Sequence, residues 1–273
     1  MIRRRFSIST LAIFLILAGA ALCRAVEISE HSYGNLSVQT LSVCLPTDNV
    51  SNRPGVIMIH GGGWTGGDKS NSISRCRSFA EDGIVAVTIN YRLANAADSS
   101  TRWPAQIDDT CAAFQWMIDN SEKLRLDPKR ISAYGESAGG HLAVWLGIRD
   151  KRLAGIVDCF GPADLGKLDK HKFTRALAAL FGSTTEEAMR AASPVYAVRT
   201  GMPPTLILQG DKDDLVPPDQ STELLAALKS KDDPVNLVLY QGGHSWKDLS
   251  PQARNSLMSQ VIAFVQNARH PKK

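Results

Sequence analysis

Residues 130–149 read RISAYGESAGGHLAVWLGIR, and the passage from strand to helix inside them decides the fold. RISAY is a strand-forming run, and it enters Gly135-Glu136-Ser137-Ala138-Gly139-Gly140 with nothing in between; HLAVWLGIR then reads as a helix. A serine that projects from so sharp a turn leaves no room for side chains two residues before and two after it, and Gly135 and Gly139 remove them. The helix that follows presents the free amides of its first turn, which favour a developing negative charge. GxSxG alone arises by chance in many sequences. Between a strand and a helix, and followed by Gly140, it marks Ser137 as the candidate nucleophile.

Outward from that turn, apolar runs of strand length alternate with helical ones. Strands are expected at residues 36–45, 54–60 (PGVIMIH), 83–91 (GIVAVTINY), 153–158, 205–208 and 235–240. Helical spacing covers residues 105–124, 219–230 and 251–268. Continuous apolar strands separated by helices predict an α/β fold, a parallel sheet covered on both faces. Sites in such sheets form at the carboxyl ends of the strands, where every motif below falls.

Residues 1–25 read as a signal peptide: Arg3, Arg4 and Arg5 precede a short apolar stretch, and Cys23-Arg24-Ala25 offers a cleavage site. The catalytic domain is then expected over residues 26–273, secreted or periplasmic, with no stable membrane span once the signal is removed. Apolar residues make up 44% and charged residues 21%, ordinary for a globular enzyme. The formal net charge of +4 belongs to the four arginines of the first 25 residues; the remainder is electroneutral, so no nucleic-acid partner is expected. Cys44, Cys76, Cys111 and Cys159 show no metal-ligand spacing, and export permits disulfides; three pairings, or buried free thiols, stay open.

His60-Gly61-Gly62-Gly63-Trp64 follows the 54–60 strand directly. Acyl transfer through a tetrahedral intermediate needs two or three N–H groups aimed at the new oxyanion, and glycines let the backbone come that close. The amides of Gly62 and Gly63, with that of Ala138 after the nucleophile, are the expected donors. His60 reads as a strand-end structural residue. A serine nucleophile also needs a base and an orienting carboxylate, in the chain order Ser, Asp, His. His141 lies in the helix after the turn, His171 in a lysine-rich stretch and His270 in the basic tail. His244, after a late strand in the turn Gly242-Gly243-His244, is the candidate base. The acid comes from residues 209–217 (QGDKDDLVP), whose three aspartates chemistry alone does not separate.

Assembled, HGGGW with Gly67-Asp68-Lys69, Asn90-Tyr91-Arg92, Trp103-Pro104-Ala105, GESAGGHLA, Ser193-Pro194 and the 210–217 loop resemble the hormone-sensitive-lipase and bacterial feruloyl/acetyl-xylan-esterase-like group. The resemblance implies an α/β-hydrolase fold with a mostly parallel central sheet, helices on both faces and a minimal lid. It maps the triad aspartate to Asp213 rather than Asp214, and it implies no cofactor or metal. Gln209 stands where relatives carry histidine, a departure expected to touch the strand end and not the triad. The resemblance also places residues 162–202 where larger relatives insert a lid; at most one or two small helices, such as 175–181, are expected there, with an open pocket. The implied reaction is hydrolysis of small acyl esters, acetyl or feruloyl, on a small-molecule or carbohydrate substrate. The stretch from HGGGW to Ser70 also resembles kynurenine formamidases, which makes amide hydrolysis the alternative. Trp64, Trp103 and Trp246 are candidates for the pocket rim or for core packing.

Overall fold

Strands form where the sequence carries short apolar runs, and eight of them join one sheet within residues 25–269, the part that the computed structural model describes. The expected signal segment, apart from Ala25, and His270 lie outside the described residues. In chain order the strands are β1 (Val26–Ser32), β2 (Thr40–Pro46), β3 (Arg53–Ile59), β4 (Val85–Ile89), β5 (Leu126–Glu136), β6 (Gly155–Cys159), β7 (Thr205–Gly210) and β8 (Val235–Tyr240). They lie side by side as β1-β2-β4-β3-β5-β6-β7-β8. β2 pairs antiparallel with β1 and with β4; from β4 to β8 every pairing is parallel.

The helices are α1 (Ile73–Glu81), α2 (Ala105–Asp119), α3 (Ala138–Arg149), α4 (Lys170–Phe181), α5 (Glu186–Ala191), α6 (Pro194–Ala197), α7 (Pro218–Lys229) and α8 (Pro251–Asn267). Alternate residues of a strand point to opposite faces, and β3 shows both faces covered. Ile57 and Ile59 pack with Ile107 and Phe114 of α2, Leu142 of α3 and Leu224 of α7. Val56 and Met58 pack on the other side with Phe79 of α1 and Val261 and Val265 of α8. Because β3 is buried on both faces, it reads as an unbroken apolar run rather than an alternating one. This is the mostly parallel, doubly covered α/β-hydrolase sheet.

The boundaries shift where neighbours decide them. The strand expected over 36–45 begins only at Thr40, after a turn, and the helix expected to reach residue 124 ends at Asp119. β1 and α1 were not expected: β1 is an exposed edge strand (VEISEHS) with little apolar signal, and α1 (ISRCRSFAE) carries few apolar positions. Against the one or two small helices expected there, residues 162–202 hold three α-helices, α4, α5 and α6, besides a 3-10 turn at Leu165–Lys167. Asp169 caps α4, its carboxylate accepting the His171 amide at 2.8 Å. Phe173, Leu177 and Leu180, at helical spacing, are buried beneath it. The lysine-rich start of α4 hides that stripe in the sequence.

Of the open cysteine pairings, Cys44 of β2 is joined to Cys76 of α1, while Cys111 and Cys159 are free thiols. Burial pushes the half-buried Cys111 thiol up to about 11. No helix among the described residues is long and apolar enough to cross a membrane.

Candidate active site

Four loops leave the carboxyl ends of β3, β5, β7 and β8 at one rim of the sheet, and they carry His60–Trp64, Ser137, Asp213 and His244. Ser137 sits between β5 and α3 with φ 54° and ψ −121°, a conformation that L-residues rarely adopt. The surroundings enforce it. The Ser137 amide donates to the Cys159 carbonyl at 2.9 Å. A Cβ on Gly135 would strike the Gly139 carbonyl, and one on Gly139 would strike the Ile59 carbonyl. Both flanking glycines are therefore required by backbone contacts.

The Ser137 hydroxyl lies 2.9 Å from His244 Nε2. On the other side of the ring, Nδ1 lies 2.7 Å from Asp213 Oδ2. Phe160 packs edge-on against the imidazole, with ring centroids 4.8 Å apart. Asp213 is buried, and its Oδ1 accepts the amides of Leu215 (3.0 Å) and Val216 (2.9 Å). Those two bonds turn Asp213 inward while its neighbour Asp214 faces solvent beside Lys172. Asp211 instead accepts the Gly242 amide at 3.0 Å, tying the β7 loop to the β8 loop.

Gln209 contradicts the expectation that it leaves the serine–histidine–aspartate arrangement untouched. Its Nε2 donates to Asp213 Oδ2 at 3.1 Å and to the Val216 carbonyl at 3.1 Å, and its Oε1 accepts the Ser221 hydroxyl at 2.8 Å. The strand-end position brings the side chain under the loop that carries Asp213, which sequence spacing alone did not reveal.

The glycine loop after β3 lies against the serine turn: a Cβ on Gly61 would stand 2.8 Å from the Glu136 carbonyl and 3.2 Å from Ser137 Cβ. Gly62 (φ 119°) and Gly63 (φ 57°) both use positive φ. The Gly62 carbonyl accepts the amides of Thr65 and Gly66, closing a tight turn. The amides of Gly62, Gly63 and Ala138 have no acceptor among the described residues. His60 anchors this loop. Its ring stacks on Tyr91 with centroids 4.4 Å apart, and the Tyr91 hydroxyl donates to its carbonyl at 2.9 Å. Burial pushes the His60 imidazole below its ordinary pKa.

His141 is fully enclosed by Trp64, Trp103 and Trp145, and its Nε2 meets the Ala192 carbonyl at 2.8 Å. Burial pushes its pKa down to about 4. Trp64 and Trp103 thus belong to this packed cluster and not to the pocket; of the three tryptophans singled out, Trp246 alone lines it. No group of His, Cys, Asp or Glu among the described residues is placed to hold a metal ion.

The serine turn opens into a cleft of about 900 Å³. Phe160, Phe173, Ala176 and Leu215 give it an apolar wall, and α4 contributes two of these. Asn71, Arg75, Glu136, Trp246, Lys247 and Arg254 also line it. Arg75 lies between the rings of Tyr134 and Trp246, 5.4 and 5.3 Å from their centroids, and pairs with Glu136 at 2.7 Å.

Comparison with known proteins places this architecture. Esterase LipC of Mycobacterium tuberculosis is 27% identical over 263 residues, covering 87% of this chain and 64% of that protein. The chain spans between about a third and two thirds of the length of such curated relatives. A truncated carbohydrate esterase from gut microbiota superposes with a TM-score of 0.76 at 23% identity, over 89% of this chain and 97% of that one. An acetyl ester-xyloside bifunctional hydrolase from Caldicellulosiruptor lactoaceticus superposes with a TM-score of 0.72 at 26% identity, over 83% and 88% of the two chains. The BD-FAE family model matches residues 41–228, a span that takes in the glycine loop, Ser137 and Asp213, and the chain belongs to the BD-FAE family of α/β hydrolases.

Proposed function

We propose that this protein is a serine carboxylesterase acting on small acyl esters, with Ser137 as nucleophile, His244 as base and Asp213 as the orienting acid. The observation that carries the reading is the unbroken line from Ser137 Oγ through both ring nitrogens of His244 to the buried Asp213 carboxylate. His244 Nε2 takes the serine proton as Oγ attacks the ester carbonyl carbon, while Asp213 stabilises the imidazolium that forms. The oxyanion lies against the amides of Gly62, Gly63 and Ala138, which are free to donate, and each such donor is typically worth ~3 kcal/mol in the transition state. The carbon–oxygen bond to the alcohol then breaks and His244 returns the proton to the departing alkoxide. Water, deprotonated by the same imidazole, attacks the acyl carbonyl carbon; the bond to Ser137 Oγ then breaks, Oγ takes the proton back from His244, and the carboxylic acid leaves.

The substrate reading is an acetyl or feruloyl ester, on a small alcohol or on polysaccharide. Its support is the apolar lining that Phe160, Phe173, Ala176 and Leu215 give the cleft, together with the family and the carbohydrate-directed solved relatives. We further propose export, secreted or periplasmic, through the signal read at residues 1–25; the Cys44–Cys76 disulfide is chemistry that an oxidising compartment favours.

The test compares kcat/KM for 4-nitrophenyl acetate, acetylated xylan, methyl ferulate and N-formylkynurenine, with Ser137→Ala as the blank. Ester turnover that vanishes in a folded Ser137→Ala protein is the expected result. Preference for N-formylkynurenine by orders of magnitude would replace the esterase reading with that of a formamidase.

A further inference from the structure

Five charged side chains line the cleft, and four of them are cationic: Arg75, Lys172, Lys247 and Arg254, against Glu136. The chain beyond residue 25 is electroneutral, so this excess is not the reflection of a basic protein. Two of the cations are committed elsewhere. Arg75 is held by Glu136 and by two aromatic rings, and Lys172 is paired with Asp214 at 3.2 Å. Lys247 and Arg254 have no carboxylate partner among the described residues, and both are exposed to the cleft.

Their place in the fold says which half of an ester would meet them. The imidazole that accepts the serine proton must pass it to the departing alkoxide, so the alcohol lies on the His244 side of the scissile bond. Lys247 follows His244 by three residues, on the same loop, and Arg254 is in the first turn of α8 immediately beyond it. The apolar residues of α4 approach instead from the glycine-loop side, where a Cβ on Gly63 would touch Ala176. The two cations without carboxylate partners therefore stand on the alcohol side, beside His244 and Phe160, while the apolar residues of α4 stand by the glycine loop.

We propose that the alcohol half of the natural ester carries an anionic group, a carboxylate or a sulfate, which pairs with Lys247 and Arg254. This rests on the ester-hydrolase reading above and names the substrate class of the same site. Two exposed cations give a selectivity of modest size that salt weakens, because charges at a cleft mouth act through water.

The test uses matched acetyl esters that differ only far from the leaving oxygen. One pair is 3-(4-acetoxyphenyl)propanoate and its primary amide; the other is 2-(4-acetoxyphenyl)ethyl sulfate and its parent alcohol. In dilute buffer the anionic member of at least one pair is expected to be favoured roughly tenfold in kcat/KM, mainly through KM. Which pair shows it identifies carboxylate or sulfate. The ratio is expected to approach one in Lys247→Gln/Arg254→Gln, checked for folding by circular dichroism, and in the unaltered protein at about 0.5 M salt. Ratios at or below one in both pairs, or a preference that survives both the double substitution and salt, would overturn the inference while leaving the esterase reading in place. Inactivity toward all four esters and 4-nitrophenyl acetate would overturn that reading, and this inference with it.

Discussion

Gln209 donates its side-chain amide to Oδ2 of Asp213, the same oxygen that faces His244 Nδ1. One carboxylate oxygen thus serves the imidazole and Gln209 together, while the other is held by two backbone amides. Gln209 is in turn fixed by the Ser221 hydroxyl from α7. In the proposed mechanism it acts through Asp213 and touches no reacting atom, which is a positioning role. Gln209→Leu is expected to lower kcat about tenfold with KM nearly unchanged, and to cost ~1–3 kcal/mol of stability by leaving buried polar groups unpaired. Gln209→His, a side chain that can still donate there, is expected to recover most of kcat. Equal kcat in Gln209→Leu and the unaltered protein would show that the two backbone amides hold Asp213 without help.

Asp158 lies on β6 opposite Gly135, packed so closely that a Cβ on Gly140 or Gly161 would strike its carboxylate. Burial raises its pKa from 3.8 to about 7, although the Gly161 amide, donating at 2.9 Å, opposes the shift. Between those two values the folded chain keeps a proton that the unfolded chain releases, so this group lowers stability as pH rises from about 4 to about 7. His141 has the opposite slope: its folded pKa of about 4 lies below 6.5, so acidification across that window lowers stability as the unfolded state takes up the proton. Asp158→Asn keeps an acceptor for Gly161 and removes the charge. Urea unfolding at pH 8 is expected to show it more stable than the parent by ~1–3 kcal/mol, with the gain shrinking toward pH 4. A gain of the same size at both pH values would place the effect outside ionisation.

Features written in contiguous residues are legible in the sequence, and those that depend on how the chain folds back are not. The turn around Ser137, the glycine loop and the turn at His244 are local: each is written in contiguous residues whose chemistry allows few alternatives. The aspartate was ambiguous because Asp211, Asp213 and Asp214 share one loop, and only the Leu215 and Val216 amides, folded back onto Asp213, separate them. The Cys44–Cys76 pairing depends on α1 docking across β2, and α1 itself has a weak signal. The apolar stripe of α4 is faint in the sequence because it follows three polar residues that sit at a helix start. Of these, the disulfide alone is set by non-local packing; the aspartate is decided by how its own loop folds back and α4 by polar residues at its own start.

The disulfide closes a loop of 32 residues between β2 and α1. A constraint of that length on the unfolded chain corresponds to ~3–4 kcal/mol in the chain-entropy picture. Cys44→Ala/Cys76→Ala is expected to lower the chemical unfolding midpoint accordingly while retaining ester turnover, since neither sulfur lines the cleft. Alkylation of the unfolded, unreduced protein, mapped by peptide mass, is expected to label Cys111 and Cys159 but not Cys44 or Cys76. Label at Cys44 or Cys76 would show that the bridge had not formed.

On the proposed esterase reading, the wall that α4 supplies is expected to set acyl selectivity. Ala176 is half-buried at the cleft and stands opposite Gly63, while Phe173 is nearly buried one turn earlier. Adding three carbons at Ala176 narrows the acyl side next to the oxyanion loop without disturbing the buried stripe of Phe173, Leu177 and Leu180, and leucine is a good helix former. Ala176→Leu is therefore expected to reduce the kcat/KM ratio of 4-nitrophenyl butanoate to acetate at least about tenfold, the scale of a methylene or two in an apolar pocket. Phe173→Ala works in the opposite sense: it opens the same wall and is expected to raise that ratio, at a stability cost of ~3 kcal/mol for the cavity left beneath α4. The two substitutions together discriminate between walls. If both leave the ratio untouched while the reaction stays dependent on Ser137, the acyl group lies instead against Phe160 and Leu215, on the His244 side of the cleft.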